Sequence, residues 1–198
     1  MKKGLHLSDR DLRVLNTVWR FCFCLGRQIK VLCGFTASYP CDRRLRQLIE
    51  AGYLSRKKYV YGIPGFYMVT RKAESVVPIR YYEHKIRLDN ILHDIAVIDT
   101  AIYLMKIWDI GLGDIVTEKE LHSKDGYGRR SHQPDFVVKL AGKEIAIEVE
   151  LTTKSRERFM KNIEDNFMRF ETQFWVVSNE KGVRDNLGSV DMRSCNNL

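Results

Sequence analysis

Apolar residues recur at helical spacing from the first turns of the chain. Leu12, Leu15, Val18 and Trp19 share a face behind Ser8-Asp9-Arg10-Asp11. There Ser8 has the chemistry of an N-cap and Asp11 that of the acid three residues on, so a helix is predicted to about Phe21. A second, shorter helix fits 27–33, with Gly34 as its stop. A third is punctuated by Pro40 at its first position, Asp42 in its first turn and Gly52 at its end. Leu45, Leu48 and Ile49 form its apolar stripe, which leaves Arg43, Arg44, Arg46 and Gln47 facing outward. Residues 56–61 and 66–70 then read as two short strands around the turn-forming Gly62-Ile63-Pro64-Gly65.

Three helices followed by a hairpin is the element order of a winged helix-turn-helix, in which the third helix enters the major groove and the hairpin touches the backbone nearby. Charge makes that order pointed. Residues 1–80 carry 16 Lys and Arg against 5 Asp and Glu, whereas the remaining residues carry 17 against 20. A basic first half beside a mildly acidic second half predicts a polyanion-binding module, with nucleic acid the expected partner and a membrane surface not. Arg43, Arg44, Arg46 and Gln47 become candidate DNA contacts, and Arg56, Lys57 and Lys58 candidate phosphate clamps. The plainer alternative is a solvated basic face on a protein-interaction module.

In the second half Leu88, Ile91, Leu92, Ile95, Ile98, Ile102 and Met105 make one long stripe, predicting a helix over about 89–109 that Gly111 and Gly113 end. A strand follows at about 114–117, then a polar loop through Gly126, Gly128, Arg129 and Arg130. Residues 135–140 and 144–151 form a hairpin about Ala141-Gly142-Lys143. In the return strand Ile145, Ile147, Val149 and Leu151 share one face, and Glu144, Ala146, Glu148 and Glu150 the other. With the apolar set toward the core, Glu148 and Glu150 stand side by side on the opposite face, and a turn at Gly142 sets Asp135 nearly opposite Glu148. Three carboxylates so placed repel one another unless a cation sits among them, and hard oxygen ligands suit Mg²⁺ or Mn²⁺. Such an ion lowers the pKa of a bound water and orients a phosphodiester. The plainer alternative is a pair of solvent-facing glutamates on an antiparallel hairpin. A helix over about 154–170, striped by Phe159, Ile163, Phe167 and Phe170, and an apolar strand over 173–178 complete the half.

The order helix, three strands, helix, strand resembles the core of the PD-(D/E)xK, or restriction-endonuclease-like, nucleases over roughly 89–178. More narrowly, nearly the whole chain resembles the replication-relaxation family and the MOBC class of plasmid mobilization relaxases. The residues that carry this are His93-Asp94, Thr117-Glu118-Lys119-Glu120-Leu121, Pro134-Asp135, Ile147-Glu148-Val149-Glu150-Leu151 and Lys154-Ser155 behind a winged helix. The resemblance implies an α+β chain: a winged helix-turn-helix over 1–80, then an αβββαβ nuclease domain over 81–198. It implies a Mn²⁺- or Mg²⁺-dependent endonuclease that nicks plasmid DNA at a transfer origin in the bacterial cytoplasm. Expected partners are double-stranded DNA with a nicked or single-stranded region and other mobilization or coupling proteins. By the same resemblance Asp135 and Glu148 hold the metal. Glu150 stands where the superfamily motif usually has lysine, so it is a further ligand or a base, and Lys154 is a candidate migrated lysine. Glu118 is a candidate extra carboxylate, and Arg129, Arg130, Arg156 and Arg158 are candidate phosphate contacts. The missing lysine keeps an alternative open: a non-catalytic winged-helix regulator with a degenerate nuclease fold.

The remaining residue types narrow the chemistry. No two of the five histidines form a His-x-His pair, and none of the nine tyrosines is singled out, so a covalent tyrosyl mechanism is not indicated. His132, two residues before Pro134, is the histidine placed nearest the acidic set, and His93 is expected to be buried and hydrogen-bonded. Five cysteines without C-x-x-C spacing predict reduced thiols packed in a core. No apolar run is long enough to span a bilayer, and the charged opening Met1-Lys2-Lys3-Gly4 predicts no secretory leader. The last residues, Ser194 to Leu198, follow the final predicted strand closely, and a trimmed carboxyl end is expected.

Overall fold

The structure, a computed structural model, describes residues 5–83, 85–125, 132–152 and 155–178. It is a mixed α+β chain with six α-helices and two sheets among the described residues. It divides into two compact units, Met1–Ile102 and Tyr103–Leu198.

In the first unit, α1 (Asp9–Arg20) opens as the sequence predicts. The Asp11 carboxylate accepts the Ser8 backbone N–H at 2.6 Å and the Ser8 hydroxyl at 2.7 Å. Then follow β1 (Cys24–Leu25), α2 (Gly26–Leu32), α3 (Ser38–Glu50), β2 (Leu54–Lys57) and β3 (Phe66–Val69). Both β1 and β2 pair antiparallel with β3, which sets Tyr67 opposite Arg56 on one side and Cys24 on the other. Val14, Leu15, Val18, Phe23, Ile29, Leu45, Leu48 and Phe66 close the core, with Phe23 edge-on to Phe66 at 5.0 Å. Cys24, Cys33 and Cys41 are free, buried thiols, and burial pushes Cys33 and Cys41 up to about 11, which makes them poor nucleophiles. Cys195 lies outside the described residues.

Two expectations about α3 change. The helix begins at Ser38 rather than Pro40, so Asp42 is its fifth residue and lies beyond the first turn. Arg44 does not face outward. It turns onto α1, where Nε donates to Asp11 Oδ1 at 2.7 Å, Nη2 to Asp11 Oδ2 at 2.5 Å, Nη2 also to the His6 carbonyl and Nη1 to Gln47 Oε1. Asp11 is 1% exposed. Burial alone would raise its carboxyl, but the guanidinium and the two Ser8 donors outweigh that and hold it below the usual carboxylate range.

The division between units falls inside α4 (Ile91–Ile107). The start of this helix is held by α2: Arg27 makes a bidentate pair with Asp99 at 2.6 Å, and the buried Gln28 amide donates to Asp99 and to the Ile95 carbonyl. The buried stripe runs Ile91, Ile95, Ile98, Ala101, Leu104. Leu88 and Leu92, predicted on that stripe, are 59% and 62% exposed because the stripe starts at Ile91 and advances by three or four residues.

The second unit is built on a sheet of β4 (Ile115–Thr117), β5 (Phe136–Leu140), β6 (Lys143–Glu150) and β7 (Thr172–Val177), in that order. The β4–β5 and β5–β6 pairs are antiparallel. The β6–β7 pair is parallel and is connected through α6 (Arg156–Phe167). The β5–β6 turn places Ala141 at φ 49° and Gly142 at φ 80°, the two left-handed residues a tight two-residue hairpin requires, so Leu140 pairs with Lys143. After β4 the chain forms α5 (Glu118–Asp125), and the loop predicted through Gly126, Gly128, Arg129 and Arg130 lies outside the described residues. Glu120 accepts the Thr117 N–H and hydroxyl at 2.8 and 2.9 Å, a capping interaction that the Thr-x-x-Glu spacing encodes.

Both faces of this sheet are covered. On one, Val116, Leu121, Val137, Ala146 and Phe170 cluster, and Phe159 of α6 meets Trp175 at 4.7 Å. On the other, Trp108 packs edge-on to Phe174 at 5.7 Å. No helix among the described residues is long and apolar enough to cross a membrane.

Candidate metal centre and basic face

The burial of β6 decides between the two readings of its acids. The last six residues of β6 are all buried, and Glu148 and Glu150 are 2% and 3% exposed. They are not solvent-facing glutamates of a hairpin. The sheet face opposite Ile145, Ile147 and Val149 is covered by α6, whose ring contact falls on Trp175, the register partner of Glu148.

Burying a carboxylate is unfavourable unless donors meet it. Glu148 Oε1 meets His132 Nε2 at 2.5 Å and accepts from Asn166 Nδ2 at 2.8 Å. His132 is itself fixed through its backbone N–H, which donates to Asp165 Oδ2 at 3.3 Å. The register that pairs Phe136 with Ile147 continues to set Asp135 opposite Glu148, as the turn at Gly142 predicts. Asp135 Oδ2 accepts the Val149 N–H at 2.7 Å, and its carbonyl accepts the Glu118 N–H. Burial raises the pKa of Glu148, the negative charge of Asp135 adds to the rise, and the His132 and Asn166 donors offset part of it.

The structure therefore brings Asp135 and Glu148 together. Glu150 shares the face two residues farther along, about 7 Å by strand geometry. Its Oε1 accepts the Thr152 N–H at 3.4 Å. Glu118 sits at the exposed start of α5, with Oε1 3.4 Å from His122 Nε2. Among the described residues no three His, Cys, Asp or Glu side chains form a group placed to hold a metal ion, so the expected set of Asp135, Glu148, Glu150 and Glu118 is not assembled. A hard divalent cation fits what is assembled in one way. Mg²⁺ is commonly held by one or two carboxylates, with water and substrate phosphate in the other positions. A cation between Asp135 and Glu148 would also relieve the repulsion that raises Glu148.

Asn166, which donates to Glu148 in the candidate site, is a residue that the hydrophobic pattern misses. The stripe drawn through Phe167 is displaced: Phe167 is 40% exposed, while Asn166 and Asn162 are 1% and 6%. Two asparagines at i and i+4 beside Phe159 and Ile163 were the legible signal. Arg156 is exposed at the start of α6, where the Ser155 hydroxyl accepts the Arg158 N–H. Lys154, Arg129 and Arg130 lie outside the described residues. His93 is half-buried, with Nδ1 3.5 Å from Asp94 Oδ1.

The raised Glu148 carboxyl has a stability consequence. In the folded chain it holds its proton to higher pH than in the unfolded chain, so its contribution is most favourable below the ordinary Glu value of about 4.3 and is lost as pH rises through the folded value. Glu148→Gln is expected to stabilise the protein at pH 8, with the gain vanishing toward pH 4. Urea denaturation of both proteins at the two pH values measures it, and equal gains at both would contradict it.

On the first unit, Arg43 and Arg46 of α3 are exposed, as are Arg56 and Lys57 of β2 and the following Lys58. Gln47 is half-buried against Arg44. Arg46 and Arg56, with Asp42, Ile49 and Tyr67, line one open depression of about 270 Å³. The Arg56 guanidinium lies over the Tyr67 ring at 5.6 Å. Gly65 leaves it room, since a Cβ there would come within 2.5 Å of Arg56 Nε. No protein-family model matches the chain, and comparison with curated proteins and with solved structures gives no significant match.

Proposed function

We propose that the chain is a divalent-metal-dependent DNA endonuclease. Its first unit would bind duplex DNA as a winged helix-turn-helix, and its second would nick it as a PD-(D/E)xK-type core. The observation that carries this reading is the buried Glu148, held beside Asp135 by His132 and Asn166 on a face that α6 covers. A sheet with no use for charge would place an apolar residue there, and a desolvated acid with a like-charged neighbour is a mark of a functional site. The order α4, β4, β5, β6, α6, β7, with the first two strand pairs antiparallel and the last parallel, supports the same core. The basic first unit, in the order α1, β1, α2, α3, β2, β3, supports duplex binding.

In this reading Asp135 and Glu148 hold the cation. When bound, it supplies a nucleophile at neutral pH and charge stabilisation at phosphorus. His132 and Asn166 fix the orientation of Glu148 through the same oxygen, Oε1. Glu150 is a further ligand or the base, and Arg156 is placed at the exposed helix start to contact phosphate. The setting of plasmid mobilization, with nicking at a transfer origin in a bacterial cytoplasm, rests on the resemblance to replication-relaxation and MOBC proteins.

A second reading has its own support. The His132 and Asn166 bonds already serve Glu148 from within, and no three-ligand group is formed among the described residues, as a non-catalytic DNA-binding regulator would allow. The test is incubation of the chain with a pool of supercoiled plasmids carrying random inserts, with and without Mn²⁺. The nuclease reading expects cation-dependent conversion to relaxed circles that share a nick site and are lost with Asp135→Asn. Binding without conversion would favour the regulator.

A further inference from the structure

The first unit carries few acids, and most have visible tasks. Asp11 anchors Arg44, Glu74 accepts the Tyr81 N–H, and Asp9 lies in the first turn of α1. Asp42 is different. It is exposed on the second turn of α3, past the reach of the helix dipole, so the benefit of an acid at a helix start does not explain it. It lines the depression shared by Arg46, Ile49, Arg56 and Tyr67.

Three polar groups of this depression, Asp42, Arg46 and the Tyr67 hydroxyl, are close to one another and yet make no hydrogen bond or ion pair among the described residues. Asp42 and Arg46 are one helical turn apart, a spacing that permits a salt bridge, but among the described residues they make none. Tyr67 is 7% exposed, and its hydroxyl, 3.9 Å from where a Cβ on Gly26 would stand, makes no hydrogen bond among the described residues. Arg56 is braced between the backbone of Gly65 and the ring of Tyr67. Two cationic donors, one carboxylate acceptor and the Tyr67 hydroxyl therefore surround one opening. A bare phosphate would be repelled by Asp42. A ligand that offers acceptors on one side and a donor on the other suits all of them.

A G·C base pair seen from the major groove is such a ligand. Guanine presents the acceptors N7 and O6, which match arginine, and cytosine presents the N4 amino donor, which matches a carboxylate. Building on the DNA-binding reading proposed above, we infer that this depression is a base-reading site, in which Arg46 donates to the guanine and Asp42 accepts from the cytosine of one G·C step, while Arg56 holds an adjoining phosphate. Asp42 is thus a specificity residue. It opposes non-specific binding to the phosphate backbone and favours one base pair.

The test is selection of bound duplexes from a random pool by the full chain and by Asp42→Asn, with affinities for the selected sequence measured at fixed salt. Asp42 is exposed, so the variant is expected to fold, which circular dichroism checks. The wild type is expected to select a G·C pair at one position. Asparagine pairs best with adenine, so the variant should lose the cytosine preference by on the order of tenfold and gain adenine there, with its other positions unchanged. An unchanged selected sequence in Asp42→Asn, or a loss spread evenly over all positions, would overturn the assignment to Asp42 and leave duplex binding standing. Failure of the wild type to retain any duplex would overturn the DNA-binding reading and this inference with it.

Discussion

Asp135→Asn is expected to lower DNA cleavage by about a thousandfold or more, while leaving duplex affinity within about twofold. Asparagine keeps an acceptor for the Val149 N–H, so the β5–β6 register is retained and the change removes charge rather than structure. Glu148 would then face no like charge across the hairpin, and its pKa would stay raised by burial, the larger cause, while losing the part that Asp135 adds. The DNA-contacting residues proposed for the first unit lie elsewhere in the chain, which is why affinity should hold. Nicking rates and equilibrium binding, measured in parallel on folded variant, give the comparison. Equal losses in both would mean that Asp135 acts through the fold.

The second large effect is on stability. Arg44→Ala is expected to destabilise the first unit by about 3 kcal/mol, because it leaves the Asp11 charge buried without its guanidinium. The lower end of the range for broken buried pairs is expected, since the two Ser8 donors remain. Asp11 has a depressed carboxyl, so its stabilising contribution is present above the ordinary Asp value of about 3.9 and is lost as pH falls through the folded value. The penalty of Arg44→Ala should accordingly shrink in acid. Urea denaturation at pH 7 and pH 3.5 measures both. A wild-type denaturation curve combined with lost DNA affinity would return Arg44 to the outward, DNA-contacting role that its place on α3 suggested.

Local chemistry was legible from the residues alone. The Ser8–Asp11 cap, the turn at Ala141-Gly142, the alternation in β6 and the placing of Asp135 opposite Glu148 each depend on neighbours a few residues apart or on a two-residue period. What stayed hidden depends on partners distant in sequence. Arg44 looked outward by helical phase, but its partner is 33 residues away on α1. The burial of Glu148 and Glu150 was not legible, and a solvent-facing pair stayed open as the alternative, because an alternating strand does not reveal that a later helix will cover the second face. Asn166 became part of the site for the same reason, one position from the phenylalanine that fitted the stripe. The start of α5 is a different case: its Thr-x-x-Glu capping spacing lies inside the Thr117–Leu121 stretch that carries the family resemblance, so one signal serves two readings.

The cation site proposed at Asp135 and Glu148 is tested by a calorimetric Mn²⁺ titration, which needs no knowledge of the DNA target. The wild-type chain is predicted to bind the ion with defined stoichiometry, in the presence of duplex DNA if phosphate completes the site, and Asp135→Asn to abolish the signal. Binding that survives Asp135→Asn, or no binding by the wild type with or without DNA, would contradict it.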